Sequence, residues 1–292
     1  MIPKSFQEYY QGQTAEIVRH YNLAKKFFDV WAIHEMRVNI KRLRAFFYLV
    51  EWINPDFQAK KNFLKIRKIF KSAGKIRDIH MQQELTMGWI KKSKSEVSEY
   101  YNYLKQQELK QHPQFSTVCK KFKINEFDKN WIKIQDSLNI LPENFIQFKT
   151  EERFYHLIDK LIEFKNKTSF TLEDYHNIRI LAKETRYALE IFQTFFAETK
   201  HFEELNLKIR DLHRALGKWH DSEVGLLSLN DFIENFSEQL FFNGTSYNKF
   251  IENLEQGKKE WISTFEKRWK EFIDFLDNDS SLKLIETKFS LN

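Results

Sequence analysis

HEMRVNIKRLR, residues 34–44, is followed later in the chain by HNIRILAKETR, residues 176–186. Both segments read H-x-x-R-x-x-x-K-x-x-R, and the second begins 142 residues after the first. Twice this offset is nearly the length of the chain, which has 292 residues. A repeat of this length indicates two similar halves of one protein rather than the short repeats of a solenoid.

A second pair of segments follows in almost the same register. Residues 64–67 and 207–210 both read LKIR, at an offset of 143 residues. Five further positions stay in this register: Lys71 with Arg214, Gly74 with Gly217, Lys75 with Lys218, Arg77 with His220, and Asp78 with Asp221. The chain is therefore predicted to divide near Pro142 into a first half, residues 1–141, and a second half, residues 142–292.

The composition favours long helices. Hydrophobic residues make up 42% of the chain and aromatic residues 16%, which is enough apolar material for a sizeable core. Glycine and proline, at 7 and 4 residues, are scarcer than the frequent turns of a many-stranded β fold require. The sequence therefore predicts an all-α fold built from two similar halves.

Apolar periodicity and local signals place the helices to within a few residues. Pro142 is expected to break the chain between the halves, and Thr171 to cap the following helix with Asp174 three residues on. Gly74 and Gly217 are each expected to end a helix in the left-handed conformation. The predicted helices are 4–28, 31–52, 57–72, 76–92, 94–110 and 125–139, then 143–165, 172–197, 201–216, 219–240 and 247–276.

The repeated motif gives each half a basic stripe. Positions 0, 3, 7 and 10 of a helix fall within an arc of roughly 80° and span about 15 Å. The stripe carries no acid in either copy, whereas helices charged only for solubility usually mix signs. A bound anion would offset the repulsion, because arginine and lysine both bind phosphate oxygens. The predicted polyanion site comprises His34, Arg37, Lys41 and Arg44, with His176, Arg179, Lys183 and Arg186.

The second motif adds basic residues to this hypothesis, several of them four residues apart on one helix face. Asp78 and Asp221 are expected either to support the start of the next helix or to orient a neighbouring arginine. The alternative for both motifs is structural, with the basic side chains paired to acids elsewhere in the fold. The additional candidates are Arg67, Lys71, Lys75, Arg77, Arg210, Arg214, Lys218 and His220.

Three strings resemble the signature of the CHAD family, the conserved-histidine α-helical domains. They are residues 34–44, the string G-x-x-R-D at 74–78, and K-x-x-R-Y-A-L-E at 183–190. The resemblance extends from about residue 10 to about residue 280. It implies two four-helix bundles related by a pseudo-two-fold axis, with basic residues around a central surface or pore. It also implies a stand-alone module that binds inorganic polyphosphate, a ligand that places some members at polyphosphate granules.

The family's basic positions fall on residues of the two motifs. Two positions depart from the pattern, because His220 stands where the second half would often carry arginine and Glu184 stands where the first half has Arg42. We therefore expect weaker binding by the second half near neutral pH. The positions implied by the resemblance are His34, Arg37, Lys41, Arg44, Arg77, His176, Arg179, Lys183 and Arg186.

Charge and cysteine content limit the setting of the protein. The net charge of +6 and the pI of about 9.0 permit an anionic partner without demanding one. Cys119 is the single cysteine, so no intramolecular disulfide can form and a cytoplasmic location is favoured. The sequence has neither the apolar run of a signal peptide nor a stretch approaching the length of a membrane span. Neither a membrane association nor a cofactor is expected.

Two other functions remain as alternatives. His220-Asp221 is the dipeptide of some metal-dependent phosphohydrolases, but a metal site needs several converging ligands, and the sequence offers no second cluster. Single-stranded nucleic acid could stack on aromatic side chains between the basic helices. However, Phe46, Phe47, Tyr48 and Tyr187 have the spacing of core residues. The sequence therefore favours polyphosphate binding without catalysis.

Overall fold

The computed structural model describes residues 2–93, 96–195, 200–236 and 244–278, and these contain helices and turns but no strand. The all-α prediction is confirmed. The predicted helix positions 94, 196–197 and 237–240 lie outside the described residues. The helices are α1 (Lys4–Phe27), α2 (Val30–Ile53), α3 (Ala59–Asn62), α4 (Leu64–Ser93), α5 (Ser98–Lys121), α6 (Glu126–Leu138), α7 (Glu143–Ile162), α8 (Leu172–Phe192), α9 (Lys200–Phe236) and α10 (Gly244–Asn278).

Local signals set several helix ends. Phe28 follows α1 in the left-handed conformation, with φ of 52°. The carboxylate of Asp29 then accepts a hydrogen bond of 2.6 Å from the backbone of α2 and caps that helix. Pro142 precedes α7, and Thr171 caps α8 in a reciprocal capping box with Asp174. The predictions for Pro142 and Thr171 are confirmed.

The prediction that Gly74 and Gly217 end helices is wrong. Gly74 lies inside α4 and Gly217 inside α9, and no glycine in the described residues has a positive φ. Buried apolar side chains continue with helical spacing across each glycine. This packing outweighs the cost of roughly 1 kcal/mol for a glycine inside a helix. Residues 64–72 and 76–92 therefore belong to one helix, α4, and residues 201–216 and 219–236 to another, α9. The helix predicted at 57–72 is also wrong at its start, because residues 59–62 form the separate helix α3.

Helix α5 is longer than the segment predicted at 94–110. It continues through Pro113 and ends at Lys121. Phe115 and Cys119 are buried on its extension, and this burial offsets the backbone hydrogen bond that proline removes.

Buried apolar side chains form three cores within the described part of the chain. The first involves α1, α2 and α6 with adjoining parts of α3, α4 and α5. The second involves α7 and α8, the first part of α9 and the last part of α10. The third joins the far ends of the α4–α5 and α9–α10 hairpins. The first half contains six helices, α1 to α6, and the second half four, α7 to α10, in the described part of the chain, and the superposition of two four-helix bundles stays a prediction.

Contacts across the predicted boundary bring α2 beside α7 and α8. Ile191 of α8 belongs to the first core, although it lies in the predicted second half. The indole nitrogen of Trp52 on α2 donates to Glu152 of α7 at 2.8 Å. Arg42 of α2 donates through Nε to Glu190 of α8, also at 2.8 Å. These contacts place the two repeated motifs next to each other.

Gly74 allows the Arg37 guanidinium to approach α4 closely. Nη1 of Arg37 donates to the carbonyl oxygen of Phe70 at 2.6 Å, and the guanidinium carbon lies 4.2 Å from the centre of the Phe70 ring. A Cβ atom at position 74 would lie 2.6 Å from Nη1 of Arg37. At Gly217, by contrast, a Cβ atom would meet nothing within 4 Å. Of these two glycines, therefore, only Gly74 leaves space that a neighbouring side chain occupies.

Gly217→Ala and Gly74→Ala are predicted to change stability in opposite directions. The first should raise the free energy of unfolding by about 0.5–1 kcal/mol, because alanine is the better helix former. The second should lower it, because it displaces the guanidinium from a charged hydrogen bond of about 1.5–3 kcal/mol. Denaturant unfolding of both variants measures the difference. An equal gain in both would show that Gly74 makes no room for Arg37.

Candidate functional site

The basic stripes of the two halves meet where α2 passes α8. Lys41 is half-buried and lies within electrostatic range of Arg37 and Arg44 on its own helix, and of Arg179 and Lys183 on α8. Burial, together with these positive charges, lowers the pKa of Lys41 to about 7. Side chains from the two halves of the sequence therefore form one cluster.

Lys183 occupies the corresponding place on α8. Burial lowers its pKa to about 8, helped by Arg44 and Arg179, while the carboxylate of Glu184 opposes the shift. Because burial and the neighbouring cations favour the neutral forms of both lysines, an anion bound between them would favour their charged forms. We call the set of converging cations the central cluster: Arg37, Lys41, Arg44, Arg179, Lys183 and Arg186.

In the first half, Phe70 of α4 anchors two arginines. Arg37 both donates to its carbonyl oxygen and stacks over its ring, as described above, and the guanidinium carbon of Arg44 lies 5.9 Å from the same ring centre. Burial lowers the pKa of Arg37, and the charge of Asp78 acts in the opposite direction. The first-half arginines are thus held in place before any ligand binds.

The two arginines of the second half have free donors. In the part of the chain that the structure describes, Nε of Arg179 and Nε of Arg186 are buried without a hydrogen-bond partner. Nε of Arg186 is 3.9 Å from Oε1 of Glu190, which is too long for a hydrogen bond. Buried donors without partners are costly. An acceptor that reached either nitrogen would remove this cost.

His213 is a site residue that the sequence reasoning missed. It lies 143 residues after Phe70, so it takes the equivalent position in the second half. Burial lowers its pKa to about 3, and the charges of Arg186 and Arg179 act in the same direction. The imidazole is therefore neutral near physiological pH. Extending the repeat register to Phe70 would have located this residue.

Arg77 lies among carboxylates at the edge of the central cluster. Burial lowers its pKa, while Glu84, Asp221 and Asp78 act against the shift. Burial raises the pKa of both aspartates, although nearby cations oppose it. Neither aspartate starts a helix, because α4 and α9 continue through them. The capping role expected for them is therefore wrong, and both lie beside basic residues instead.

The three predicted histidines differ in exposure and charge. His34 is half-buried, and its pKa is lowered by burial and then by the charge of Arg77. His176 is exposed, and its ring centre is 6.5 Å from that of His220. Burial lowers the pKa of His220 to about 4, and Arg179 contributes to the shift. His220 therefore lacks, near pH 7, the charge that Arg77 supplies in the first half.

The rest of the second motif forms an outer row. Lys75 is exposed and donates to Gln114 of α5 at 3.0 Å, and half-buried Lys218 lines a groove with Glu84 and Trp89. On the helix surface, this row is centred about 100° of rotation away from Phe70 in α4 and from His213 in α9. The structure therefore does not bring the outer row into the central cluster. Its other members are Arg67, Lys71, Arg210 and Arg214, all exposed.

Arg153 of α7 is a second residue that the sequence reasoning missed. With Lys41 and Arg44 it lines a cavity of about 180 Å³ between α2, α7 and α8. Burial lowers the pKa of Arg153, and the carboxylate of Glu184 acts in the opposite direction. The position 142 residues earlier is Gln11, so the repeat gives no signal for Arg153.

The fold and the site define a class of all-helical protein in which basic helices from two distant segments converge. The chain belongs to the CHAD domain family, whose model matches residues 8–230. It is similar to the crystal structure of the CHAD domain from the plant Ricinus communis, with 16% identity, a TM-score of 0.70, and coverage of 94% of this chain and 91% of that chain. It is also similar to PptA from Streptomyces chartreusis, with 13% identity, a TM-score of 0.59, and coverage of 91% and 98%. At these identities, the structural likeness shows the fold alone.

No curated protein matches the chain. Within the described ranges, none of the helices combines the length and apolar character needed to cross a membrane. In the same ranges, no group of three or more histidine, cysteine, aspartate or glutamate side chains is placed to hold a metal ion.

Lys41→Met is predicted to stabilise the free protein at neutral pH. The folded-state pKa of about 7 lies below the usual 10.5. Between these values the unfolded chain binds more protons, so this lysine makes stability rise with pH. Methionine keeps the length of the side chain and removes the buried charge. The free energy of unfolding should therefore increase by roughly 0.5–2 kcal/mol near pH 7 and by less near pH 10.

Denaturant titrations of both proteins at the two pH values measure this effect. Lys25→Met, on the exposed end of α1, serves as the control for the change of residue type. A loss of stability at pH 7 in Lys41→Met would contradict the prediction.

Proposed function

We propose that the protein is a binding module for inorganic polyphosphate, which lies between α2 and α8. The observation that carries the proposal is the convergence of basic side chains from both halves into one half-buried cluster. A linear chain of phosphates can contact cations of both helices at once. Compact anions could contact only part of this set.

The lowered pKa values and the unpaired donors of these cations support the binding of an anion among them. Burial first, and then the neighbouring cations, lower the pKa values of Lys41 and Lys183 to about 7 and about 8. The Nε atoms of Arg179 and Arg186 are buried donors without partners in the described part of the chain. Phosphate oxygens carry charge and accept several hydrogen bonds, so they would offset both costs.

The aromatic side chains near the motifs favour polyphosphate over single-stranded nucleic acid. Phe46 and Phe47 are completely buried in the first core, and Tyr187 is 3% exposed. Buried rings cannot stack on bases, which is the main sequence-tolerant contact to single strands. Polyphosphate needs no such platform, because it consists of charged groups only.

We propose binding without catalysis as the role of the cluster. Its groups are cationic donors, and the neutral imidazoles of His213 and His220 lie beside them, an arrangement that suits the positioning of an anion. The alternative is a metal-dependent phosphohydrolase that uses His220-Asp221, and release of orthophosphate during the titration below would reveal it. A cytoplasmic location, with association to polyphosphate granules, belongs to the same proposal.

Binding of long-chain polyphosphate should be mainly electrostatic. If each neutralised phosphate contributes about −0.7 to the slope of log K against log salt, the six cations of the central cluster give a slope near −4. Arg37→Ala combined with Arg44→Ala should make the slope shallower by roughly 1.4 and weaken binding at least tenfold for each arginine. Arg179→Ala with Arg186→Ala should act in the same direction. Titration calorimetry at several salt concentrations measures both quantities.

Lys25→Ala combined with Lys26→Ala is the matched control, because it removes the same charge from the exposed end of α1. This variant should change the slope little. Single-stranded DNA of equal charge should compete weakly with polyphosphate. If the arginines are structural, their variants will lose thermal stability without ligand while the folded fraction keeps the original slope. That result would remove the central cluster as the binding site.

Affinity for polyphosphate should rise as the pH falls from about 9 towards 7. In the free protein, Lys41 and Lys183 have pKa values of about 7 and 8, and a bound anion favours their protonated forms. Binding therefore takes up protons across this range. Lys41→Arg keeps its charge throughout and should flatten the pH profile. Calorimetry in buffers of different ionisation enthalpy measures the proton uptake, and an unchanged uptake in Lys41→Arg would contradict the assignment to Lys41.

A further inference from the structure

The cavity between α2, α7 and α8 has two kinds of wall. One part is basic, with four cations and the single acid Glu184, and the other is apolar. The cations are Lys41, Arg44, Arg153 and Lys183, and the apolar residues are Ala45, Leu49, Leu157, Ala188 and Ile191. Tyr48, Thr150 and Tyr187 complete the lining.

Polyphosphate accounts for the basic wall but not for the apolar one. A chain of phosphates has no apolar part, so it would leave the aliphatic side chains in contact with water. Concave sites that combine apolar walls with a few convergent polar groups are typical of small organic ligands. The combination of walls therefore indicates an occupant with one strongly charged end and one apolar end.

We propose that this cavity binds a compact organic phosphate monoester, with the phosphate against Arg44, Arg153 and the two lysines and the organic group against the aliphatic wall. The volume of about 180 Å³ lies below the range of roughly 300–1,000 Å³ typical of drug-sized ligands. The organic group is therefore no larger than about a phenyl ring.

Arg153 is held ready for this role. Its guanidinium carbon lies 5.0 Å from the ring centre of Trp52, a cation–π contact. The indole nitrogen of Trp52 in turn donates to Glu152 at 2.8 Å, which fixes the ring. A stacked guanidinium keeps its fork of donors free for phosphate oxygens.

A dianion fits the charge of the cavity better than a monoanion. Four cations face a single carboxylate, that of Glu184, so the wall carries a surplus of positive charge. Burial and the neighbouring cations already lower the pKa values of Lys41 and Lys183, and a doubly charged phosphate favours their charged forms more fully than a carboxylate does.

The cavity shares Lys41, Arg44 and Lys183 with the central cluster. A bound monoester would therefore compete with polyphosphate, and this consequence rests on the proposed function. The cavity and its own ligand do not depend on it. Substitutions that fill the apolar wall distinguish monoester binding from polyphosphate binding, because they remove no cation from the central cluster.

Phenyl phosphate is the probe, and inorganic phosphate and benzoate are the comparison ligands. Titration calorimetry of the full chain near neutral pH should show phenyl phosphate binding at least tenfold more tightly than either, a difference of about 1.4 kcal/mol or more. Inorganic phosphate lacks the apolar group, and benzoate lacks the second charge. Equal affinity for phenyl phosphate and inorganic phosphate would overturn the proposal.

Ala188→Met fills the cavity from α8 and Ala45→Leu fills it from α2, which guards against a folding defect in either variant. Both should weaken phenyl phosphate binding at least tenfold while the affinity for inorganic phosphate stays within about threefold. Ala15→Met, on an exposed position of α1, is the matched control and should change neither. Retention of phenyl phosphate binding in both folded cavity variants would refute the site.

Polyphosphate titrated into the same proteins distinguishes the two proposals. If wild-type protein binds phenyl phosphate but not polyphosphate, the proposed function fails and the cavity ligand stands. If it binds polyphosphate with no preference of phenyl phosphate over inorganic phosphate, the cavity proposal fails alone.

Discussion

Repulsion between half-buried cations that face each other from α2 and α8 is the constraint on which the rest of the structure depends. Lys41 lies among four arginine and lysine charges, and burial together with these charges lowers its pKa to about 7. Several contacts oppose this repulsion. Arg42 and Glu190 form an ion pair between the same two helices, and Asp78 and Asp221 lie beside the cluster. The carboxylates surround the cations without neutralising the centre, so the field there remains positive.

The two halves hold their cations differently. Phe70 anchors Arg37 through its carbonyl oxygen and its ring, whereas neutral His213 stands at the equivalent place and Nε of Arg179 is left without a partner. Neutral His220 likewise replaces Arg77. Arg186 is also held, because its guanidinium lies 4.7 Å from the Tyr187 ring centre, so the difference between the halves lies in Arg37 and Arg179. Preorganised groups bind with less loss of conformational freedom, so the first half is expected to contribute more to affinity.

The sequence predicted the all-α fold and the basic helices, because scarce glycine and an exact repeat of four basic positions are visible in one dimension. It failed at Gly74, where a glycine signal that usually ends a helix reflects the close approach of Arg37. That contact joins residues 37 positions apart, so the sequence around Gly74 contains no signal for it. Arg153 was missed for a similar reason, since it reaches the cavity from α7, outside the repeat. A sequence repeat identifies the residues that the two halves share. The cavity also uses Arg153, which has no equivalent in the first half, so the repeat could not predict it.

The buried aromatic side chains oppose the repulsion between the basic faces of α2 and α8. Phe46 and Phe47 hold the outer side of α2 in the first core, and Phe192 holds α8 in the second. Each fully buried aromatic side chain contributes roughly 1.5–3 kcal/mol, and this packing opposes the repulsion across the cluster. Ile191 extends from α8 into the first core and ties the two together. The cores therefore keep the basic helices close in the absence of an anion, and the energy stored in their repulsion is available to favour the ligand that neutralises it.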